Sequence, residues 1–310
     1  MKIKKALVTA LLGTLFISFA GAASAQRVNK LIELFENNEP GFGILSFDYS
    51  LNNARSLATS GLDFVFIDME HAPFDVERLR EFLLGMTNKR LILEKGSLQP
   101  DVVPFVRIPA AGGAEELIAQ AKQVLDVGVF GIFFPAIHTR EQAELAVRAT
   151  RYPQYNGAPD YEPTGLRGRN PSNAVWYWGI NDYHAKADVW PLDPQGELLA
   201  MMFIESAEGV ENIDEIIDVP GLGGIFIGPS DLSTSMGYTS PAAPQVEEAI
   251  QRVLRACLDN DVPCAITTGQ NSVEERIEQG FSFVTVGADG GLNTGAANAL
   301  RLGREAGGRD

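Results

Sequence analysis

Phe64-Val65-Phe66-Ile67-Asp68 is an apolar run closed by an acid, and Met69-Glu70-His71-Ala72-Pro73 leads from it to the helix-spaced segment Val76 to Met86. A short β-branched and aromatic run reads as a buried strand, and a longer stretch with apolar residues three and four apart reads as a helix. Outward from this strand-helix unit, the same unit recurs. Strand-like runs occur at Gly41 to Phe47, Phe64 to Asp68, Val103 to Ile108, Val129 to Pro135, Ala200 to Glu205, Gly224 to Ile227, Cys264 to Thr267 and Phe281 to Val286. Helical candidates lie among them at Val76 to Met86, Ala114 to Val127, Arg140 to Arg151, Val210 to Val219, Val246 to Asn260 and Val273 to Gln279. Such alternation predicts parallel strands with helical crossovers, and eight units close most simply into an α/β fold of the (β/α)8, or TIM-barrel, type. A doubly wound sheet is the competitor, but no Gly-x-Gly-x-x-Gly turn follows the first run.

Two stretches break the rhythm. Thr87 to Asp101 is charged and reads as a looped insertion, while Tyr152 to Gly196 is long, rich in Pro, Gly, Asn and aromatics, and without clear periodicity. Trp176, Tyr177, Trp178, Tyr183 and Trp190 are too aromatic for a flexible linker, so the second stretch is expected to be an ordered cover over the barrel mouth or a subunit contact. At the other end, Lys2, Lys4 and Lys5 precede an apolar run from Ala6 to about Ala20 and then Ala23-Ser24-Ala25. This is the layout of a secretory signal peptide over residues 1–25, giving a periplasmic or secreted protein with one barrel domain over 26–310. The apolar run is short for an uncleaved membrane anchor.

The net charge of −15 becomes more negative once the signal lysines go, which disfavours nucleic acid and anionic membranes as partners. A local arginine or metal ion still permits an anionic small substrate. Cys257 and Cys264 are the two cysteines, placed at a helix end and the following strand. They could pair in an oxidising compartment; two buried free thiols is the preferred reading.

In such a barrel the reactive residues stand at the carboxyl ends of strands. There the chain offers Asp68-Met69-Glu70-His71, Arg107, Glu205 and Gly228-Pro229-Ser230-Asp231. Glu205 and Asp231 lie just past consecutive strands, so their carboxylates can converge on one hard cation, Mg²⁺ or Mn²⁺. Each could equally be a solvated loop acid, and Asp231 could cap a helix. His71 is placed to move a proton, with His138 the weaker candidate because Thr139-Arg140 reads as a helix start. Arg107 could grip a carboxylate or an enolate oxygen, or form an ion pair with Asp68 or Glu70. No lysine stands at a strand end to form a Schiff base, since Lys122 is helical and Lys89 and Lys95 fall in the charged insertion.

The order of these pieces resembles the HpcH/HpaI aldolase/citrate lyase family. The likeness rests on Asp63 to Pro73, Pro104-Phe105-Val106-Arg107, Val124-Leu125-Asp126-Val127-Gly128, Phe203-Ile204-Glu205-Ser206, Ile227 to Ser233 and Phe283-Val284-Thr285-Val286-Gly287. The resemblance implies a divalent-metal-dependent lyase that cleaves a 4-hydroxy-2-oxo acid to pyruvate and an aldehyde. It implies Glu205 and Asp231 as ligands of Mg²⁺, Mn²⁺ or Co²⁺, and Ser230 and Asp231 in the Gly228 turn as amide donors to the pyruvate carboxylate. Arg107 would neutralise the forming enolate. His71 would transfer protons, assisted by Asp126 from a neighbouring subunit of a homo-oligomer, a trimer or hexamer. Phe203 stands where many relatives have glutamine. A non-catalytic periplasmic binder of oxoacids is the second reading, favoured by Phe203 and the aromatic insertion, and a related lyase with another substrate is a third.

Overall fold

The computed structural model describes residues 27–110, 112–159, 162–289 and 292–309. The expected signal segment, 1–25, lies outside them. After α1 (Lys30–Glu36) come β1 (Gly41–Ser46), α2 (Leu51–Leu57), β2 (Phe64–Asp68), α3 (Val76–Met86), α4 (Lys89–Lys95), β3 (Val103–Arg107), α5 (Ala114–Val127), β4 (Gly131–Phe134) and α6 (Arg140–Thr150). The second half runs α7 (Ser172–Trp178), α8 (Tyr183–Lys186), β5 (Leu199–Ile204), α9 (Ala207–Glu211), α10 (Ile213–Ile217), β6 (Leu222–Ile227), α11 (Pro229–Ser235) and α12 (Pro244–Asp259). It ends with β7 (Cys264–Thr267), α13 (Val273–Glu278), β8 (Phe283–Ala288) and α14 (Thr294–Ala306). The eight strands pair in chain order, all parallel, and β8 returns to β1 to close a (β/α)8 barrel.

The strands are buried on both faces, so their direction shows in contacts rather than in burial. Phe66 stacks on Phe133 at 4.3 Å, Phe203 stacks on Phe226 at 4.6 Å, and the two pairs meet edge to face. Side chains two apart on a strand share a face. The residues two beyond these rings are therefore also inward, and they include Asp68 above Phe66 and Glu205 above Phe203. The aromatic layer is thus the floor on which the charged rim stands. Outside the barrel, α12 shows how the helices attach, with Pro244 in its first turn and Val246, Ala249, Ile250, Val253, Leu254 and Cys257 forming one buried stripe.

Two expectations are corrected. Thr87 to Asp101 is not a loop throughout, since α4 forms there, capped by the Asn88 side chain and ended by left-handed Gly96 (φ 66°). None of its residues is buried, so no periodic apolar face marks it. The 152–196 segment does not cover the barrel mouth. It joins the end of α6 to the start of β5 and so lies at the amino ends of the strands, where the Trp178 Nε1–H donates to Gly128 O at 2.8 Å and its ring stacks on Phe130 at 4.4 Å. Arg151 anchors it further through Asp188 at 2.6 Å. Cys257 and Cys264 are free and buried, and burial, then the hydrogen-bonded neighbour Cys257, raises the Cys264 thiol. Among the described residues no helix is long and apolar enough to cross a membrane.

Candidate active site

β2 ends in Asp68, whose side chain is fully buried, and β3 ends in Arg107, its partner in register. The Arg107 Nε–H donates to Asp68 Oδ1 at 3.0 Å and Nη2–H donates to Oδ2, a fork meeting a carboxylate. The backbone amides of Glu70 (3.0 Å) and His71 (3.4 Å) also donate to Oδ1. Burial disfavours the charge on Asp68, but Arg107 and those amides outweigh it and hold the carboxyl below its ordinary range. Glu70 lies 3.1 Å from Arg107 Nε. Its carboxyl is nevertheless raised, by burial first and then by Asp68 and Asp231 against the pull of Arg107 and His71.

His71 is the exposed member of the group. Its Nδ1 lies 2.7 Å from Arg107 Nη2 and 3.3 Å from Asp68 Oδ2. A guanidinium nitrogen can only donate, so the shorter contact makes Nδ1 an acceptor and puts the ring hydrogen on Nε2. Arg107 itself rests on the aromatic floor, with Cζ 5.3 Å from the Phe66 centroid and 5.1 Å from that of Phe203. The ion pairs that were one of its two expected roles are therefore present.

Glu205 follows β5, and its Oε1 accepts the Ala136 N–H at 2.8 Å. Burial raises its carboxyl, the Ala136 amide opposes this, and Glu70 and Asp231 add to the rise. A Cβ at Gly228 would stand 2.9 Å from Glu205 Oε2 and 3.0 Å from its Cβ, so glycine makes room for the carboxylate. Asp231 is the third residue of α11 and not its cap, a position held by Gly228 without a side-chain bond. The first backbone bond of α11 runs from Leu232 N–H to Gly228 O at 3.0 Å. The Ser230 and Asp231 amides thus precede it, without intrahelical acceptors.

A family model described as HpcH/HpaI aldolase/citrate lyase matches residues 49–296. The chain belongs to this family. It is similar to the 5-keto-4-deoxy-D-glucarate aldolase of Escherichia coli (strain K12), at 33% identity over 247 residues, 79% of this chain and 84% of that one. The Escherichia fergusonii protein of the same name is 34% identical over 239 residues, 76% and 81% of the two chains. Among solved structures, an HpcH/HpaI aldolase/citrate lyase family protein from Burkholderia cenocepacia J2315 matches with a TM-score of 0.71 at 31% identity, covering 90% of this chain and 97% of that one.

For an HpcH/HpaI enzyme, metal-assisted aldolase or lyase chemistry needs a place for a divalent ion. Asp68, Glu70 and His71 offer ligand atoms within 4.8 Å of one another, a spacing that such an ion spans. Both Asp68 oxygens are already engaged by N–H groups, however, and the Arg107 guanidinium supplies the positive charge there. Glu205 differs. The Ala136 amide and the weaker influence of Arg107 are what favour its charge, while two other acids repel it. This excess of oxygen donors and negative charge around Glu205, Asp231 and Glu70 fits a hard divalent cation.

Within one chain, Asp126 is not part of this group. It lies at the end of α5, which descends from the carboxyl end of β3 to the amino end of β4, so Asp126 is at the opposite side of the barrel from His71. There it pairs with buried Arg167 at 2.9 Å. His138 also stands apart from His71, with Nδ1 2.6 Å from Ser206 Oγ. Sequence reasoning named Asp68 and Glu70 only as ion-pair partners of Arg107 and gave them no part in binding or catalysis, although both are written in the strand-end motif. It also missed Ala136, which acts through its backbone and so has no side-chain signal.

Proposed function

We propose that this family member is a class II aldolase that reversibly cleaves a 4-hydroxy-2-oxo acid to pyruvate and an aldehyde, using Mg²⁺, Mn²⁺ or Co²⁺. The observation that carries the reading is that Glu205 and Glu70 repel each other and are both repelled by Asp231, while a single guanidinium, Arg107, 3.1 Å from Glu70, is the cation that answers them at the carboxyl ends of the strands. Glu205 and Asp231 hold the ion, which when bound supplies Lewis-acid polarisation of the keto group. The Ser230 and Asp231 amides receive the substrate carboxylate. Arg107 faces the negative charge that gathers on the keto oxygen as the C3–C4 bond breaks and its electron pair moves into the enolate.

The C4 hydroxyl must lose its proton in the same step. With Nδ1 occupied by Arg107, the His71 ring carries its hydrogen on Nε2 and is not yet a base there. An anionic substrate draws Nη2 away; the exposed ring then gives its Nε2 hydrogen to solvent water and takes one from water on Nδ1, which donates to Asp68 Oδ2, already 3.3 Å distant, and Nε2 is left free to accept the C4 hydroxyl proton. Asp126 of a neighbouring subunit, in a trimer or hexamer, assists. The relatives' names supply the first substrate to test, because 5-keto-4-deoxy-D-glucarate, counted from its keto end, is a 4-hydroxy-2-oxo acid.

The test is proton NMR of the protein with Mg²⁺ in D₂O. Expected are deuterium exchange into the pyruvate methyl group and release of pyruvate from that sugar acid, both lost on chelation. Tight oxalate binding with neither exchange nor cleavage would replace this reading with the oxoacid-binding one. Export is part of the same proposal, supported by the Lys2 to Ala25 pattern. N-terminal sequencing of the periplasmic protein should begin at Gln26, and an intact Met1 in the cytoplasm would refute it.

A further inference from the structure

The turn after β4, residues 135–138, reaches the Glu205 segment at three successive points. Ala136 N–H donates to Glu205 Oε1 at 2.8 Å, Ile137 N–H donates to Phe203 O at 3.3 Å, and the His138 ring lies 2.6 Å from Ser206 Oγ. The hydroxyl of Ser206 also accepts the Gly209 N–H at 3.0 Å, so His138 and α9 hold it from two sides. His138 is itself tied down, because Asn212 Nδ2–H donates to its carbonyl at 2.9 Å. Ala136 has φ 52°, a left-handed conformation that residues with a Cβ seldom adopt. A disfavoured conformation survives where its surroundings over-determine it, and such positions gather at functional sites. Here it belongs to the residue whose N–H meets the carboxylate. From the other side, Gly228 N–H donates to Ile204 O at 3.1 Å, and the missing Gly228 side chain leaves the space that Glu205 fills.

We infer that the 135–138 turn is a clamp that fixes the Glu205 carboxylate for a divalent cation, with His138 a positioning residue acting through Ser206. The inference rests on the reading of Glu205 as a metal ligand. Groups that orient a ligand typically change metal affinity by about 10–100-fold when removed.

The experiment is Mn²⁺ binding to the full mature chain, followed by electron paramagnetic resonance without substrate. His138→Ala should weaken Mn²⁺ binding about tenfold, while turnover at saturating Mn²⁺ changes little. His138→Asn, whose amide reaches about as far as Nδ1, should restore most of the affinity. Ser206→Ala removes the same contact and also the α9 cap at Gly209, so it should weaken Mn²⁺ binding at least as much as His138→Ala, and the double variant should lose no more than Ser206→Ala alone. Circular dichroism and thermal melting report whether each variant folds, and if His138→Ala does not, Ser206→Ala decides. The clamp is overturned if folded His138→Ala binds Mn²⁺ as tightly as the parent, or if the two losses add. Glu205→Ala separates the two levels of the argument. If it abolishes Mn²⁺ binding while the clamp variants do not weaken it, the clamp alone fails; if it binds Mn²⁺ normally, the assignment of Glu205 fails.

Discussion

β2 is bounded by two buried acids, Asp63 just before it and Asp68 at its end, and they are used in opposite ways. Asp63 accepts two bonds from Arg309 (2.7 and 3.0 Å), pairs with Lys30 at 2.7 Å and accepts the Phe42 N–H at 3.0 Å. Two cations answer one carboxylate, and their joint pull overcomes burial to hold its carboxyl low. At the other end one cation, Arg107, answers Asp68 and Glu70 together, and Glu205 and Asp231 stand nearby. The amino end of the barrel is electrostatically closed by its own residues, whereas the carboxyl end leaves negative charge unanswered. That difference separates an end that holds the fold from one able to take up a cation, and it can be tested by breaking either side.

The largest effect belongs to the open end. Glu205→Ala and Asp231→Ala should each lower kcat/KM at fixed Mn²⁺ by more than about 100-fold, measured as pyruvate release. Arg107→Ala should lower kcat by a similar factor with Mn²⁺ affinity kept, because it acts on the developing charge rather than on the ion. Full metal-stimulated activity in either carboxylate variant would mean that the ion sits elsewhere. The next effect belongs to the closed end. Asp63→Asn leaves Lys30 partly buried without its counter-charge and Arg309 with Glu39 alone, and should cost about 3 kcal/mol in urea unfolding, with turnover per folded molecule unchanged.

The two ends should also respond to pH with opposite sign. Asp63 has a lowered carboxyl, so the stability it contributes is fully present above the unfolded value of about 3.9 and is lost as pH falls through the folded value. Glu205 has a raised carboxyl, so its contribution is present below the unfolded value of about 4.3 and is lost as pH rises through the folded one. Urea midpoints of metal-free protein across this acid range should lose part of their low-pH decline in Asp63→Asn. In Glu205→Gln, part of the decline on raising the pH should go. Identical pH profiles for the two variants would contradict the contrast.

The barrel was legible because each strand is a short apolar run and the chain alternates regularly. The rim was legible because Asp68, Arg107, Glu205 and Asp231 stop or follow those runs with charge. α4 was not, since Leu91-Ile92-Leu93 has no helical stripe and buries nothing. For the 152–196 segment, connectivity already spoke against the barrel-mouth alternative: a segment leading from a helix into the next strand must return at the amino ends. Ala136 and the hydrogen on His71 Nε2 were beyond reach, because a backbone amide and a tautomer depend on neighbours that only the fold brings close.

The smallest effect tests the floor beneath the rim. Phe203 and Phe226 stack on each other, and both meet Phe66 and Phe133, yet Arg107 lies over Phe203 and Phe66 and not over Phe226. Leucine at either position removes one ring and keeps an apolar side chain, so both variants should lose about 1–2 kcal/mol of stability. Phe203→Leu alone also removes a face against which the guanidinium rests, an interaction of about 0.5–2 kcal/mol, and should lower kcat/KM about threefold. Melting temperatures should therefore fall together while kcat/KM separates. If Phe226→Leu reduced kcat/KM as much as Phe203→Leu, the floor would influence the rim through general packing, and the contact between Phe203 and Arg107 would have no catalytic weight of its own.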